Sequence, residues 1–209
     1  AGHWALAVNA YNGPVWHVAT TGSDETGTGS ENNPFATIQT AIDSSSNGDT
    51  VLVTAGTYVE NVTITKNLIL MSESGPAVTI IDGNLSDHIV RIESDSVVVN
   101  GFTVQNGGGG LFDDYYGLQG GVIEIDLPSA LGDNSQIILE NILILNAGEN
   151  DIGSLVYIEN ANTFLDYCTF ADTSVSTLYQ WYPTELLINV SNSIFLVPLS
   201  SASFTQGLD

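Results

Sequence analysis

Basic residues, cysteines and long apolar runs are almost absent from this 209-residue sequence. It has only two Lys and Arg residues, too few to neutralise a phosphate backbone or to hold an anionic membrane surface. A single cysteine, Cys168, excludes an intramolecular disulfide. No apolar run approaches the roughly 18 residues that a membrane span requires. We therefore expect no nucleic-acid partner and no membrane insertion.

The composition that remains is that of a folded, acidic protein. The 24 Asp and Glu residues give a formal net charge of −22, while 43% of all residues are hydrophobic. A disordered acidic chain would be poorer in apolar residues, so we predict a packed core. Such an acidic surface suits salty extracellular water, in which cations screen the self-repulsion of the protein. The expected location is extracellular or on the cell surface.

One strand-like segment recurs along the second half of the chain. Aligning its central residue makes Phe102, Ile142, Cys168 and Ile194 equivalent, with a long first interval and two shorter, equal ones. The long interval contains a glycine-rich insertion after Asn106, and removing that insertion restores the shorter period. A period in the twenties that is built from short strands is typical of a solenoid.

Short alternating segments fill each unit, and Gly, Asn, Asp or Ser residues separate them. In 62–64, 78–80 and 90–92, apolar and polar residues alternate as in a strand with one buried face, and 50–53 and 68–70 are apolar segments of similar length. Such segments suit the coils of a parallel β-helix, where each strand pairs with its equivalent one turn later. Asn and Asp at the corners tolerate a left-handed backbone. We predict an all-β solenoid of about six coils.

A single amphipathic helix precedes the coils. Asn33 supplies an N-cap, Pro34 suits the first helical position, and an apolar stripe follows at helical spacing. Gly48 lies just beyond the end of this pattern. We predict a helix near 34–46 that covers the apolar interior of the first coil and protects its open edge.

The opening of the chain resembles a known family. HVATTGSD (17–24), NPFATIQTAI (33–42) and GDTVLVTAGTY (48–58), in this order, are similar to the start of secreted right-handed parallel β-helix proteins of the pectin-lyase-like superfamily. The resemblance covers about residues 16–106. It implies a right-handed parallel β-helix domain over 16–209, preceded by an extension over 1–15. Polysaccharide lyases begin in the same way, as do surface proteins without known chemistry.

Catalysis remains an open alternative at this point. Elimination from a uronic-acid sugar needs a base and a positive charge beside the sugar carboxylate, and this chain offers only Lys66 and Arg91. A chain of net charge −22 would also repel a polyanionic substrate. Hydrolysis needs two carboxylates about 5 to 10 Å apart, and acidic residues are plentiful. The motif set of β-helix polygalacturonases is not reproduced, however.

Clustered acidic residues on turns predict calcium binding, since hard cations prefer carboxylate and carbonyl oxygens. None of these clusters has the complete signature of a known calcium loop. We expect Ca²⁺ at one or more of three clusters, and no organic cofactor. The candidate ligands are Asp24, Glu25 and Glu31, then Asp82 and Asp87, and finally Glu149 and Asp151.

Two aromatic insertions interrupt the coil rhythm. Each follows the same recurring strand, so both are expected on one flank of the solenoid. Exposed aromatic rings beside acidic groups suit sugar stacking or a protein interface, although such loops can instead fold back onto the coil. The candidate contact residues are Phe112, Tyr115 and Tyr116 in the first insertion, and Tyr179, Trp181 and Tyr182 in the second.

The sequence pattern predicts a covered first coil and a bare last one. Terminal repeats normally need a polar cap, and an uncovered coil can recruit another strand. We expect the apolar start of the chain to dock on the last coil of a neighbour, a heterologous contact that gives filaments. The residues concerned are Trp4, Leu6, Val8 and Tyr11 at the start, with Ile194 and Leu196 in the last coil.

Two functions follow from these observations. The first is a secreted, non-catalytic structural or adhesive module that calcium stabilises and that assembles end to end into filaments or a surface layer. The second is an extracellular β-helix protein that binds or degrades a polysaccharide, with the aromatic insertions as its sugar site.

Overall fold

The structure is a computed structural model that describes residues 13–85, 88–107, 121–127, 135–145, 154–159, 161–171, 176–181, 188–195 and 204–206. The elements in chain order are β1 (Val15–Val18), α1 (Ile38–Ser44), β2 (Thr50–Val53), β3 (Gly56–Val59), β4 (Val62–Ile64), β5 (Leu68–Ser72), β6 (Thr79–Asp82), β7 (Val90–Ile92), β8 (Ser96–Asn100), β9 (Thr103–Gln105), β10 (Gly121–Asp126), β11 (Gln136–Glu140), β12 (Leu143–Leu145), β13 (Ser154–Glu159), β14 (Thr163–Asp166), β15 (Thr169–Ala171), β16 (Ser176–Trp181), β17 (Ile188–Ser191), β18 (Ile194–Phe195) and β19 (Phe204–Gln206).

Three parallel sheets form the walls of the molecule. Sheet 1 has the order β1-β2-β5-β8-β11-β14-β17, sheet 2 the order β3-β6-β9-β12-β15-β18, and sheet 3 the order β4-β7-β10-β13-β16-β19. From β2 onward the chain visits the three sheets in turn, and each strand pairs in parallel with its equivalent one coil later. The predicted right-handed parallel β-helix is thus confirmed. No described helix is long and apolar enough to cross a membrane.

The core is a set of stacked columns inside the coils. In sheet 3, register pairing places Ile64, Ile92, Ile125 and Ile158 over one another, and each of these side chains is fully buried. Burying one such side chain contributes roughly 1.5–3 kcal/mol. Because side chains alternate along a strand, residues between the buried positions form outward columns on each sheet.

The corner between sheets 1 and 2 requires a left-handed backbone. Gly101, Asn141, Tyr167 and Asn192 occupy this corner in successive coils, all with φ between +49° and +88°. The prediction that Asn suits such corners is therefore confirmed at Asn141 and Asn192. The predicted alignment of the last repeat is wrong, because Ile194 pairs with Thr169 rather than with Cys168, and the last coil is correspondingly shorter.

The capping helix is present but shorter than the predicted 34–46. It spans Ile38–Ser44, and its N-cap is Thr37, whose side chain accepts a hydrogen bond from Thr40 N. The predicted start at Asn33 and Pro34 is wrong because Phe35 pairs with the first strand: its N–H donates to His17 O at 3.0 Å. That extended pairing holds the chain out of helical geometry until Thr37.

The helix nevertheless covers the first coil as predicted. Its residues Ile38, Ala41 and Ile42 are buried in the core. The carboxylate of Glu60, on the coil below, accepts hydrogen bonds from Ile38 N at 2.9 Å and Gln39 N at 3.0 Å. Glu60 therefore satisfies two of the N–H groups that a helix start leaves unpaired.

Candidate functional site

Two register columns run across sheet 3 at the positions that alternate with its buried isoleucines. The first column is Thr63, Arg91, Glu124, Tyr157 and Tyr179. The second is Asp126, Glu159 and Trp181. Polar and aromatic residues from strands that are far apart in sequence therefore share register columns on one sheet.

Arg91 on β7 joins three carboxylates on this wall. Its Nε atom lies 2.8 Å from Glu93 Oε1 and 3.4 Å from Glu124 Oε2. Its Nη2 atom donates a hydrogen bond to Asp126 Oδ2 at 3.1 Å. Partial burial opposes the charged guanidinium, but the carboxylates, led by Glu124, outweigh it and hold the pKa of Arg91 above its usual value.

The carboxylates of this cluster lie in two different environments. Glu124 is only 3% exposed although strand alternation places it on the outward side, and His88 beside it is 5% exposed. His88 Nδ1 lies 3.4 Å from Glu124 Oε2. The side chains of Glu93 and Asp126, in contrast, are 38% and 39% exposed. One buried and two solvent-facing carboxylates therefore share a single guanidinium.

Two of the carboxylates in this cluster lie on the same strand. Glu124 and Asp126 are two residues apart on one strand, so their Cα atoms lie about 6.6 Å apart. Glycosidases place two carboxyl groups about 5–10 Å apart, both within reach of the sugar, whereas Glu124 is only 3% exposed and Asp126 alone faces solvent. Elimination, in contrast, needs a cation that is available to the substrate, and Arg91 already contacts three carboxylates.

Sequence reasoning does not find this cluster. It singles out Arg91 as a candidate base, whereas Glu93, Glu124 and His88 are not among the predicted site residues. The available signal is the alternation Val122-Ile123-Glu124-Ile125-Asp126, which predicts two acids on one face of a strand. Its alignment with Arg91, one coil earlier, appears only once the register of sheet 3 is known.

Lys66, the other candidate base, lies elsewhere and is engaged with the capping helix. Its Nζ atom donates hydrogen bonds to the carbonyl oxygens of Ile42, Asp43 and Ser45 at 2.9, 2.8 and 2.7 Å. The register partner of Arg91 in the preceding coil is Thr63 rather than Lys66. The structure therefore does not bring the two basic residues together.

The predicted aromatic contact residues lie partly outside the described residues, and their contact role stays a prediction. Phe112, Tyr115, Tyr116 and Tyr182 lie outside the described residues. Tyr179 and Trp181 belong to β16, which pairs with β13 in sheet 3, so the prediction that they form a loop insertion is wrong. The strand continues the coil because residues 176–181 pair in parallel with residues 154–159. Both residues thereby join the register columns of the ionic cluster.

Two of the predicted calcium ligands, Asp24 and Asp82, accept hydrogen bonds from neighbouring residues. Asp24 accepts hydrogen bonds from Ala36 N and Thr37 N, at 2.8 and 3.1 Å, at the start of the capping helix. Asp82 accepts from the side chains of Gln105 and Asn106 at 2.8 and 2.9 Å. Among the described residues, no three His, Cys, Asp or Glu side chains form a metal-binding group.

The remaining candidate ligands are either exposed or outside the described residues. Glu25 and Glu31 are exposed in the loop that precedes the helix. Asp87, Glu149 and Asp151 lie outside the described residues. Calcium binding therefore stays a prediction.

The contacts of Asp24 give a pH-dependent prediction. Partial burial opposes ionisation, but hydrogen bonds from Thr37 and Ala36 outweigh it and hold the pKa of Asp24 below its usual 3.8. The stability that this carboxylate contributes is therefore present above pH 3.8 and lost as the pH falls through the lower, folded-state pKa. Asp24→Asn should lower the Tm at pH 7, and this difference should shrink below pH 3.8.

Thermal unfolding of both proteins between pH 2.5 and pH 7 checks this prediction. Glu25→Gln, which removes one exposed charge from the same loop, is the control and should shift the Tm little at any pH. A Tm difference for Asp24→Asn that stays constant over the whole range would contradict the assigned role.

The predicted self-assembly contacts are mostly outside the described residues. This applies to Trp4, Leu6, Val8, Tyr11 and Leu196. Ile194 is described and is 54% exposed on β18.

Comparisons with known proteins agree with this architecture. Residues 20–74 match a family model described as a protein of unknown function (DUF1565). The fold is similar to a rhamnogalacturonan lyase, with a TM-score of 0.54 and 13% identity over 88% of this chain and 56% of that one. A pectin methylesterase from Aspergillus niger gives a TM-score of 0.53 and 16% identity over 91% and 69% of the two chains.

These likenesses concern the fold. The chain spans only 56% of the length of the lyase. No curated protein matches it. The stacked sheets and the structural neighbours together show that this chain has the right-handed parallel β-helix fold.

Proposed function

We propose that this protein binds an uncharged polysaccharide along the outward wall of sheet 3. The observation that carries the proposal is the cluster around Arg91, in which buried Glu124 and solvent-facing Asp126 share one guanidinium. Carboxylates are strong acceptors for sugar hydroxyls, and a fixed guanidinium keeps their oxygens in place. The sheet repeats such groups over several coils, as an extended polymer requires.

Aromatic residues occupy the same register columns, but Tyr157 is only 4% exposed and is not itself a sugar contact. Tyr157 adjoins Glu124 in register, and its hydroxyl donates to Glu159 Oε2 at 3.2 Å. Tyr179 and Trp181 continue the two columns on the next strand. The structural neighbours, named as a rhamnogalacturonan lyase and a pectin methylesterase, also favour a polysaccharide.

The charge of the protein favours a neutral polymer over a polyuronate. Both of its Lys and Arg side chains are engaged, Lys66 with the capping helix and Arg91 with three carboxylates. Neither is available to neutralise a sugar carboxylate, and the net charge of −22 repels a polyanion.

Affinity electrophoresis in gels that contain a single polysaccharide tests this proposal. We expect neutral glucans, galactans, mannans or xylans to retard the protein, and polygalacturonate not to. Asp126→Asn together with Glu93→Gln should weaken the retarding interaction about tenfold, as expected for losing charged hydrogen bonds worth about 1.4 kcal/mol. Release of reducing ends from the retarding polymer would identify hydrolysis.

The matched control is Glu73→Gln, an exposed acid outside the sheet 3 columns, which should bind like the parent protein. Retardation by polygalacturonate alone, or equal retardation of the parent and the double variant, would overturn the proposal. Retardation by no polymer would overturn it as well.

A second proposal is end-to-end assembly of secreted copies, stabilised by Ca²⁺. The observation in its favour is Ile194, which is 54% exposed, with Ile188 and Val190 only partly buried on the same coil. Sedimentation with Ca²⁺ and with a chelator tests it. Ile194→Asp should abolish assembly, whereas Leu85→Asp, at an exposed site on another coil, should not. A monomer under all conditions would contradict assembly.

A further inference from the structure

Tyr167 occupies a backbone conformation that does not suit it. Its φ is +53°, in the left-handed region, at the corner that Gly101, Asn141 and Asn192 fill in other coils. Bulky side chains are rare in this region, and such backbone strain, often about 1 kcal/mol or more, is concentrated at functional sites. The side chain gains little from burial in return, because the residue is 57% exposed. An exposed tyrosine is thus held where asparagine would be more stable.

A like-charged pair lies directly beside Tyr167. Glu140 and Asp166 are register partners on β11 and β14 of sheet 1, and like charges at such positions repel each other. Amide side chains donate to both: Asn100 to Glu140 at 2.8 Å and Asn192 to Asp166 at 2.8 Å. Neither carboxylate contacts a Lys or Arg, since the only two in the chain are both described and engaged elsewhere.

An apolar pair completes the surface. Ile138 and Phe164 are register partners two residues before Glu140 and Asp166, on the same outward side of sheet 1. Both are only partly buried, as is Val98 in the preceding coil of the same column. The corner surface defined by Ile138, Glu140, Phe164, Asp166 and Tyr167 therefore combines an apolar step, two carboxylates and an exposed phenol ring.

We propose that this corner surface docks a basic segment of another protein, which inserts an arginine between the two carboxylates and the Tyr167 ring. A guanidinium can bind carboxylates through paired hydrogen bonds and can stack on an aromatic face. It would also relieve the repulsion within the acidic pair. An apolar side chain of the same segment packs on Ile138 and Phe164.

The spacing of the surface defines the segment further. Phe164 and Asp166 are two residues apart on one strand, about 6.6 Å from Cα to Cα. An extended segment with an apolar residue two positions from an arginine matches that distance. A second copy of this protein fits poorly, because each copy carries a net charge of −22 and the contact would oppose acidic surfaces. This docking site lies on sheet 1 and is independent of the sugar site on sheet 3.

Fluorescence anisotropy with a labelled peptide of alternating Leu and Arg tests the proposal on the full chain. The matched peptide replaces each Leu with Ser and keeps the charge. We expect the Leu/Arg peptide to bind at least about tenfold more tightly than the Ser/Arg peptide, because only the former has side chains that pack on Ile138 and Phe164. General attraction to an acidic protein would give the two peptides equal affinity. Glu140→Gln with Asp166→Asn should weaken its binding about tenfold.

Tyr167→Asn is the most informative variant because stability and binding should change in opposite directions. The Tm should rise by about 2 °C, since asparagine suits the corner, while peptide affinity should fall about tenfold. Glu31→Gln with Glu73→Gln, which removes two exposed charges elsewhere, should leave the affinity nearly unchanged.

Four results would overturn the proposal. Equal binding of the two peptides, or no binding, would exclude recognition of apolar and basic groups together. A lower Tm for Tyr167→Asn would assign Tyr167 a structural role. Concentration-dependent self-association that Glu140→Gln with Asp166→Asn strengthens would identify a second copy as the occupant.

Discussion

Replacing Arg91 with methionine should lower the free energy of unfolding by about 2–3 kcal/mol. Methionine keeps much of the apolar stem of the side chain but removes the guanidinium that contacts Glu93, Glu124 and Asp126. Glu124 is 3% exposed, so its carboxylate would lose a positive partner without gaining water. Removing one partner of a buried ion pair costs about 3–5 kcal/mol, and the partial exposure of Arg91 reduces that figure.

A second substitution separates this mechanism from a simple loss of packing. Glu124→Gln removes the buried charge, so Arg91→Met with Glu124→Gln should be more stable than Arg91→Met alone. Urea unfolding of the two single variants and the double variant gives the coupling energy directly. Additive losses would contradict the assigned pairing.

Glu93, the solvent-exposed ion-pair partner of Arg91, provides the control for Arg91→Met. Glu93→Gln removes an ion pair whose carboxylate side chain is 38% exposed, and such pairs contribute about 0–1 kcal/mol.

Repeating the series at about 1 M NaCl, where the Debye length is about 3 Å, screens the general repulsion of this acidic chain. The loss in Arg91→Met should largely persist there, because its main source is the contact with Glu124, which is excluded from solvent.

Replacing Lys66 with methionine should destabilise the capping helix by about 3 kcal/mol. The ammonium group donates to three carbonyl oxygens at the end of α1, and each hydrogen bond to a charged group contributes roughly 1.5–3 kcal/mol without full additivity. A cation at this end also interacts favourably with the helix dipole. Methionine would leave these carbonyls without that donor.

Amide hydrogen exchange shows which segments of the chain lose stability in Lys66→Met. Protection should fall first in Ile38–Ser44 and in β1, which packs against the helix, while β8 and β11 stay protected. Lys66→Arg keeps the charge and several donors, and should retain most of the protection. Uniform loss over all coils, or a change below about 0.5 kcal/mol, would contradict a role for Lys66 in holding the helix.

The sequence is sufficient to predict the architecture because the relevant signals are local. Alternation within short segments, Asn at the corners and an apolar stripe near Ile38 depend only on neighbouring residues. The predicted start of the helix is wrong because Phe35 pairs with His17, a contact that no local rule anticipates. Asn141 and Asn192 follow the preference for asparagine at this left-handed corner, whereas Tyr167 does not.

The ionic cluster of sheet 3 could not be predicted from local patterns. Arg91 and Glu124 are register partners in adjacent coils of sheet 3. Glu140 and Asp166 are register partners in adjacent coils of sheet 1, but they are closer together in sequence than Arg91 and Glu124. Loops of unequal length between strands change the interval from sheet to sheet. Which residues share a column is therefore decided by pairing across coils.

Amide hydrogen exchange with a neutral oligosaccharide tests the central claim most directly. A saturating oligosaccharide from the polymer that retards the protein should increase protection in β7, β10 and β13, the strands of sheet 3 that carry Arg91, Glu124 and Tyr157. The strands β6, β9 and β12 of sheet 2 should not change. Protection confined to sheet 1 or sheet 2, or none in sheet 3, would contradict a sugar site at the Arg91 cluster.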